Sequence, residues 1–472
     1  MSSEQTPFGR SLAQLRDAYR SGVTTPTEVI AGVIAAIERS RDNHAWITVA
    51  GTDVLLAEAA RLEAAAQAAG GFEHLPLYGV PLAVKDNIDV AGFPTTNACP
   101  DFAYLPERSA SAVQRAIDAG AIVVGKTNLD QFATGLVGVR SPYGIPESVF
   151  GQGMVSGGSS SGSALAVATG VVPVALATDT AGSGRVPAAL NGIVGIKPTL
   201  GLVSTLGLQP ACRSIDGITV MGSRLDDALT LLSVIVGPDP DNPWGRDPAE
   251  LAPAVRDAPV RLGLPATEAL EFFGDEPMRQ AHLAARERAV DLLGAVEVKL
   301  DLEPFLEAGS LLYQGAWVAE RLADLEPFLT EHPVSTHPDS VHPVVRGIIE
   351  SGARFSAADG FRTQHRLRNL RHLTGKIWDN VDALLLPTIG TTFTIAEVLA
   401  DPLARNAILG HYTHFTNLLD LAALSIPVGT STDGRPVALM LIGPPRSDLT
   451  LASIAATVLG DDALSKQLTD IA

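Results

Sequence analysis

"GAIVVGKT", Gly120 to Thr127, matches the pattern G-x-x-x-x-G-K-[ST] at every fixed position, and its reading decides which kind of α/β chain this is. A phosphate loop runs strand, loop, helix, because backbone N–H groups must curl around phosphates before the helix begins. Here the filler is Ala121, Ile122, Val123 and Val124, an apolar and mostly β-branched run that reads as a buried strand. It is entered from the glycine that closes the helical stretch "SASAVQRAIDAG". The order is helix, glycine, strand, so nucleotide binding is set aside. Lys126 and Thr127 read as residues at a strand end.

Around this strand, from Leu75 to about Pro198, short apolar runs ("GVPLAVK", "AIVVGKT", "VVPVALATDT") alternate with helical stretches, the signature of a parallel or mixed sheet flanked by helices. Residues 9–70 carry helical periodicity, with a Thr/Pro start signal in "TTPTEVIAGVIAAIERS", so 1–70 is expected to be a helical packing and oligomerisation segment and 71–460 the main domain. The Pro/Asp-rich stretch "GPDPDNPWGRDP" at 237–248 reads as a surface loop, because the apolar strand "PVRLGLP" follows and can join the same sheet. A long helical segment near 303–329, the strand "DALLLPTIG" and a closing helix–strand–helix region complete the chain.

With 34 Lys and Arg against 52 Asp and Glu, the formal charge is −18, which argues against nucleic acid as a partner, since phosphate contacts need clustered cations. Two cysteines far apart, Cys99 and Cys212, form neither a metal motif nor a disulfide framework. The polar N-terminus and the Gly- and Pro-broken apolar runs point to a cytoplasmic chain without a membrane span. No metal or cofactor motif emerges.

"MVSGGSSSGSALAVATG" crowds hydroxyls and backbone N–H groups ahead of a small-residue helix, a place suited to negative charge. Its Gly158–Ser159–Ser160–Ser161–Gly162 segment also fits the G-x-S-x-G nucleophile elbow, but that reading needs a histidine, and none downstream, from His282 to His414, stands in a telling context. A flexible Gly/Ser linker is the other alternative, at odds with the strand and helix signals on either side. A second cluster follows where "VVPVALATD" runs into "TAGSGRVPAAL". Backbone N–H groups of Thr180, Ala181, Gly182 and Ser183 there are candidates to converge on an oxyanion. Asp179 and Arg185 bracket the turn, either as an ion pair that holds it or as ordinary surface charge. Lys85 ends an apolar strand instead of a polar face, and burial would lower its pKa until it serves as a neutral base.

Together these elements resemble the amidase signature family, from "GVPLAVKDN" through "GKTNLDQFATG", "SGGSSSGSALAVA" and "TDTAGSGRVPAALNGIVGIKPT" to "LAALSIPVG". The resemblance implies an α/β fold with a large mixed β-sheet core flanked by helices on both faces. It also implies hydrolysis of linear amides by a Ser–cisSer–Lys triad, with Ser183 as nucleophile, Ser159 as bridging serine and Lys85 as base, no cofactor, and a homodimer.

The substrate must be read elsewhere. Tyr313 and Arg321, in "GSLLYQGAWVAERLADL", are eight residues apart, about 80° around one helix, so both side chains would address one region. The plainer alternative pairs Arg321 with Glu320 or Asp324 and leaves Tyr313 in the core. "RSPYGIPES", "ACRSIDGITV" and "LLLPTIGTTFTIAEVLADP" resemble the allophanate hydrolase branch of the family. That branch implies a small anionic amide as the partner, held by Tyr313 and Arg321, with a backbone contact from Gly138, in a urea-degrading role. A broad-specificity amidase and a tRNA-dependent amidotransferase A-type subunit are the alternatives. Many members of the branch carry a second C-terminal domain, and the amidase pattern here ends shortly before Ala472, so no such domain is expected in this chain.

Overall fold

The computed structural model of the protein describes residues 11–247 and 259–470. Eleven strands form one sheet: β1 Trp46–Val49, β2 Pro81–Lys85, β3 Ile122–Thr127, β4 Val174–Asp179, β5 Val194–Lys197, β6 Gly217–Gly222, β7 Arg261–Pro265, β8 Val296–Leu300, β9 Ala383–Pro387, β10 Ala422–Thr430 and β11 Pro436–Gly443. Their order is β1-β3-β2-β4-β6-β5-β10-β11-β9-β7-β8. Strands β3, β2 and β4 are parallel neighbours, as are β9, β7 and β8, while the pairs between these blocks and at β1 are antiparallel. This is the mixed sheet of the fold that the sequence predicted.

Alternation along the central strands splits the core into two layers, because successive side chains leave a strand on opposite faces. In β11, Leu439 and Leu441 join one hydrophobic cluster, and Ala438, Met440 and Ile442 join the other; β9 does the same with Ala383 and Leu385 against Leu384 and Leu386. The first cluster is roofed by the helices Leu12–Arg20, Pro26–Arg39, Thr52–Ala68, Leu225–Ile235 and Asp448–Val458, the second by Glu303–Gln314 and Ala357–Gly375. Helices therefore cover both faces.

Several expectations change in detail. The stretch before residue 70 is helical as read, but it also lends edge strand β1, whose four residues are too few to outweigh the surrounding helical pattern. Residues 1–10 of that stretch, and Pro248 of the Pro/Asp-rich stretch, lie outside the described residues. The 303–329 segment is two helices, Glu303–Gln314 and Trp317–Glu331, parted at Gly315. The closing region holds an antiparallel pair, β10 and β11, where one strand was expected. Lys126 is no ordinary strand-end cation: it is fully buried, with Nζ 3.3 Å from Asp86 Oδ1.

The serine-rich helix Ser161–Ala168 lies against the β2–β3–β4 block so closely that only glycine fits its first turn. A Cβ on Gly162 would sit 2.2 Å from the Ala45 carbonyl oxygen and 2.4 Å from the Asn128 nitrogen. Both are backbone atoms that cannot step aside. Gly162→Ala is therefore expected to lower stability by about 1–3 kcal/mol, read from the urea midpoint. Gly347→Ala, in an exposed helix interior where a Cβ meets nothing within 4 Å, should instead stabilise by about 0.5–1 kcal/mol.

Candidate active site

Three adjacent parallel strands end at one place. Strand β2 delivers Lys85 as its last residue, β3 leads into Asp130, and β4 ends at Asp179, so backbone pairing rather than loop flexibility fixes where these charges stand. Lys85 is completely buried, and its Nζ donates to Ser159 Oγ and Thr178 Oγ1, each at 2.7 Å. Burial disfavours the ammonium and outweighs the favourable fields of Asp216, Asp130 and Asp179, so the Lys85 pKa falls to about 7. A lysine in that state can give up its proton near neutral pH.

Ser159 follows a cis peptide bond from Gly158, and its carbonyl accepts from the Asp130 N–H at 3.0 Å. The neighbouring serines serve the helix start: Ser160 Oγ donates to the Thr178 carbonyl, and Ser163 Oγ to that of Leu176. The nucleophile-elbow alternative fails here, because among the described residues no histidine hydrogen-bonds a serine of this cluster.

The turn after β4 is held by a buried ion pair. Asp179 accepts from Arg185 Nε and Nη2, both at 2.9 Å, and from the N–H groups of Gly182 and Gly184 at 2.8 and 3.0 Å. Both side chains have no exposed surface, which removes the surface-charge alternative. Burial pushes against ionisation of Asp179, yet Arg185 beside it keeps the carboxyl below its usual range. One expectation is corrected: the Gly182 N–H is committed to Asp179 and does not face an oxyanion, because the chain reverses there at φ 132°. The N–H groups of Thr180, Ala181 and Ser183 have no partner among the described residues, and Ser183 is buried among them.

Sequence reasoning missed what braces this turn from the far end of the chain. Thr413 Oγ1 donates to the Ala181 carbonyl at 2.7 Å, and Asn417 Nδ2 donates to that of Asp179 at 2.7 Å. Arg185 Nη1 donates to Thr416 Oγ1 at 2.8 Å. All three braces lie in "HYTHFTNLLD", and no local signal in that stretch points to the turn they reach. Asp130 was missed as well. Its carboxylate accepts from the N–H groups of Val137, Gly138 and Arg140 at 3.0–3.1 Å, so the Gly138 N–H is spent, while its carbonyl has no partner among the described residues.

Tyr313 and Arg321 do come together, though not by the expected route. They sit on consecutive helices, since Gly315 breaks the segment, and so they share no single helix face. The Arg321 Cζ nevertheless lies 5.7 Å from the Tyr313 ring centroid. Arg321 is buried, its Nη1 donates to Thr134 Oγ1 at 2.8 Å, and its Nε has no partner. Glu320 and Asp324 are engaged elsewhere, with Ser214 and Arg213. Among the described residues Arg321 has no ion pair, which removes the exposed-pair alternative. Tyr313 also neighbours His414, ring centroids 5.3 Å apart, and burial and the nearby Arg185 keep that imidazole neutral, with its pKa down to about 3.

A buried lysine hydrogen-bonded to a serine thus stands beside a turn whose N–H groups at 180, 181 and 183 have no partner among the described residues. The family model described as Amidase matches residues 28–452. The chain is 42% identical over 414 residues to the urea amidolyase of Saccharomyces cerevisiae, covering 88% of this chain and 22% of that protein. It is 35% identical over 474 residues to the A-type subunit of the glutamyl-tRNA(Gln) amidotransferase of Symbiobacterium thermophilum, covering 94% and 95%. Among solved structures, a Kluyveromyces lactis allophanate hydrolase superposes with a TM-score of 0.87 at 38% identity, covering 96% of this chain and 73% of that one. The chain thus belongs to the amidase family and is an amidase-signature hydrolase. It spans about a fifth of the length of the urea amidolyases it matches.

Among the described residues no helix is long and apolar enough to cross a membrane. Replacing Arg185 by Met leaves Asp179 a buried, uncompensated charge, which should cost about 3–5 kcal/mol in urea unfolding. A loss below about 1 kcal/mol would mean that Asp179 takes up a proton without penalty.

Proposed function

We propose that this chain hydrolyses the terminal amide of allophanate, the small anionic carboxylate of urea, releasing ammonia. The observation that carries the substrate class is Arg321: a buried guanidinium with no carboxylate partner among the described residues and an unsatisfied Nε. Burying such a cation is costly unless a ligand anion completes it, and a planar guanidinium suits a carboxylate. Tyr313, beside it, is the hydroxyl that orients the substrate, and the Gly138 carbonyl is an acceptor for an amide N–H. The similarity to urea amidolyases and to a solved allophanate hydrolase supports the same assignment.

In this reading neutral Lys85 accepts a proton from Ser159 while Ser159 accepts one from Ser183, whose Oγ attacks the amide carbon. The oxyanion that forms is met by the open N–H groups of Thr180, Ala181 and Ser183. The proton returns through Ser159 to the leaving nitrogen, the C–N bond breaks, ammonia departs and an N-carboxycarbamoyl ester of Ser183 remains. Water, deprotonated along the same relay, attacks that ester, the C–O bond to Ser183 breaks as the relay returns the proton to Ser183 Oγ, and the dicarboxylated amine leaves.

The test is ammonia release from allophanate, with malonamate, biuret and a neutral aliphatic amide alongside. Ser183→Ala and Lys85→Ala should each lower kcat by at least about a hundredfold. Arg321→Ala should mainly raise KM for the anionic substrates. Equal turnover of the neutral amide, indifferent to Arg321→Ala, overturns the allophanate assignment in favour of a broad-specificity or amidotransferase-type amidase.

The pH profile carries a separate expectation. Because the neutral form of Lys85 is the active one and its pKa is about 7, kcat/KM should rise with pH through about 7 and level off above it. A flat profile between pH 6 and 8 excludes Lys85 as the base.

A further inference from the structure

Asp216 is a buried carboxylate to which the steps above give no task. It stands one residue before β6, and the pairing of Asp179 with Gly217 sets it alongside Thr180, where the turn after β4 begins. Thr180 Oγ1 donates a short hydrogen bond to Asp216 Oδ1, while the N–H groups of Ala211 and Cys212 donate to Oδ2 at 2.5 and 3.2 Å. Only 7% of the residue is exposed, and among the described residues it has no ion pair. Burying an unpaired carboxylate is expensive, so its retention calls for a reason.

Two other carboxylates bear on Lys85, and both are occupied. Asp179 is bound to Arg185, and Asp130 takes three N–H groups from its own loop. Asp216 differs in being tied to the oxyanion turn itself, through a side chain rather than the backbone. Its field also reaches both Lys85 and Arg321. It is foremost among the charges that favour the Lys85 ammonium, and it acts on Arg321 as well.

We propose that Asp216 is a positioning residue of the amide-cleaving site: through Thr180 it fixes the first donor of the oxyanion turn, and its buried negative charge steadies the ammonium form of Lys85. The catalytic meaning of this role rests on the hydrolysis reading above. During turnover Lys85 must hold the proton of Ser183 while the tetrahedral intermediate exists, then return it. A counter-charge tied to the same turn that binds the oxyanion keeps the two charges of that intermediate in register.

The groups that face Lys85 are Asp216, Asp130 and Asp179, with Ser159 and Thr178 as its hydrogen-bond partners. Those that face Asp216 are Thr180, Arg321 and the N–H groups of Ala211 and Cys212. Burial pushes the Asp216 carboxyl up, to about 6, and the attraction between it and Lys85 makes the two titrate as a coupled pair. Removing that charge disfavours the ammonium, and the Lys85 midpoint must fall.

The test has a substrate-free arm. The chain has six lysines, Lys85, Lys126, Lys197, Lys299, Lys376 and Lys466, so labelling the lysine ε-carbons with carbon-13 gives six resonances. That of Lys85 is the one lost in Lys85→Ala. In Asp216→Asn its titration midpoint should fall by about one unit from the wild-type value. An unchanged or raised midpoint overturns the charge role, whether or not the protein cleaves any amide.

The second arm uses whichever amide the wild type cleaves. Thr180→Val should lower kcat about tenfold or more with KM little changed, and Thr180→Ser, which keeps the hydroxyl, should restore it. Equal kcat in the two variants overturns the positioning role. Should Asp216→Asn not fold, this pair decides; should the wild type cleave no amide at all, the hydrolysis reading fails and the titration decides alone.

Discussion

The Asp179 carboxylate is where the two halves of this chain meet. It closes β4, receives four hydrogen bonds from the turn that follows, and takes its counter-charge from Arg185, which in turn reaches Thr413 and Thr416 ahead of β10. A pair this deep gains little net stability by itself, because desolvation nearly offsets the attraction. What it provides is uniqueness. With both Asp179 oxygens taken by Gly182, Gly184 and Arg185, the turn is held in shape, and its remaining open N–H groups are fixed before any substrate arrives.

Around that point the site is a problem in shared charge. Lys85, Arg185, Arg321 and Arg140 are all buried, and so are Asp130, Asp179 and Asp216. In a medium of low polarity each charge is felt by the others over several ångströms. Arg185 is satisfied outright by Asp179. Lys85 is left between ammonium and amine, the state a base needs, since full pairing would lock the proton on it and full isolation would strip it off. Arg321 is left short of a partner. That shortfall is what the proposed anionic substrate would make good.

Much of this was legible in the residues. The β-branched filler of Ile122–Val124 sufficed to reject a phosphate loop and to place β3. Lys85 at the end of an apolar strand, and the two Gly/Ser turns ahead of helices, marked the candidate site because polar groups in buried settings are expensive and need a reason. Contacts between distant segments were not legible. Nothing local in "HYTHFTNLLD" announces that Thr413 and Asn417 will reach the turn at 180–185, since such pairings are set by the sheet order, in which β10 lies three places from β4. Gly182 misled for the related reason that a turn's N–H groups divide between inward and outward partners, a division that only coordinates reveal. Tyr313 and Arg321 were paired correctly on a wrong premise: the helix face assumed continuous is broken at Gly315, and the second helix folds back to restore the contact.

That break at Gly315 has an evolutionary side. In the proposed reading the reacting groups are Lys85 at the end of β2 and Ser159 and Ser183 in the connections before and after β4, whereas Tyr313 and Arg321 lie on two separate helices more than a hundred residues later. Chemistry and recognition are therefore encoded in different stretches of the gene. A helix docked through a glycine joint can be re-angled or re-sequenced without moving a strand, so a lineage can exchange one amide for another while inheriting its cleavage machinery intact.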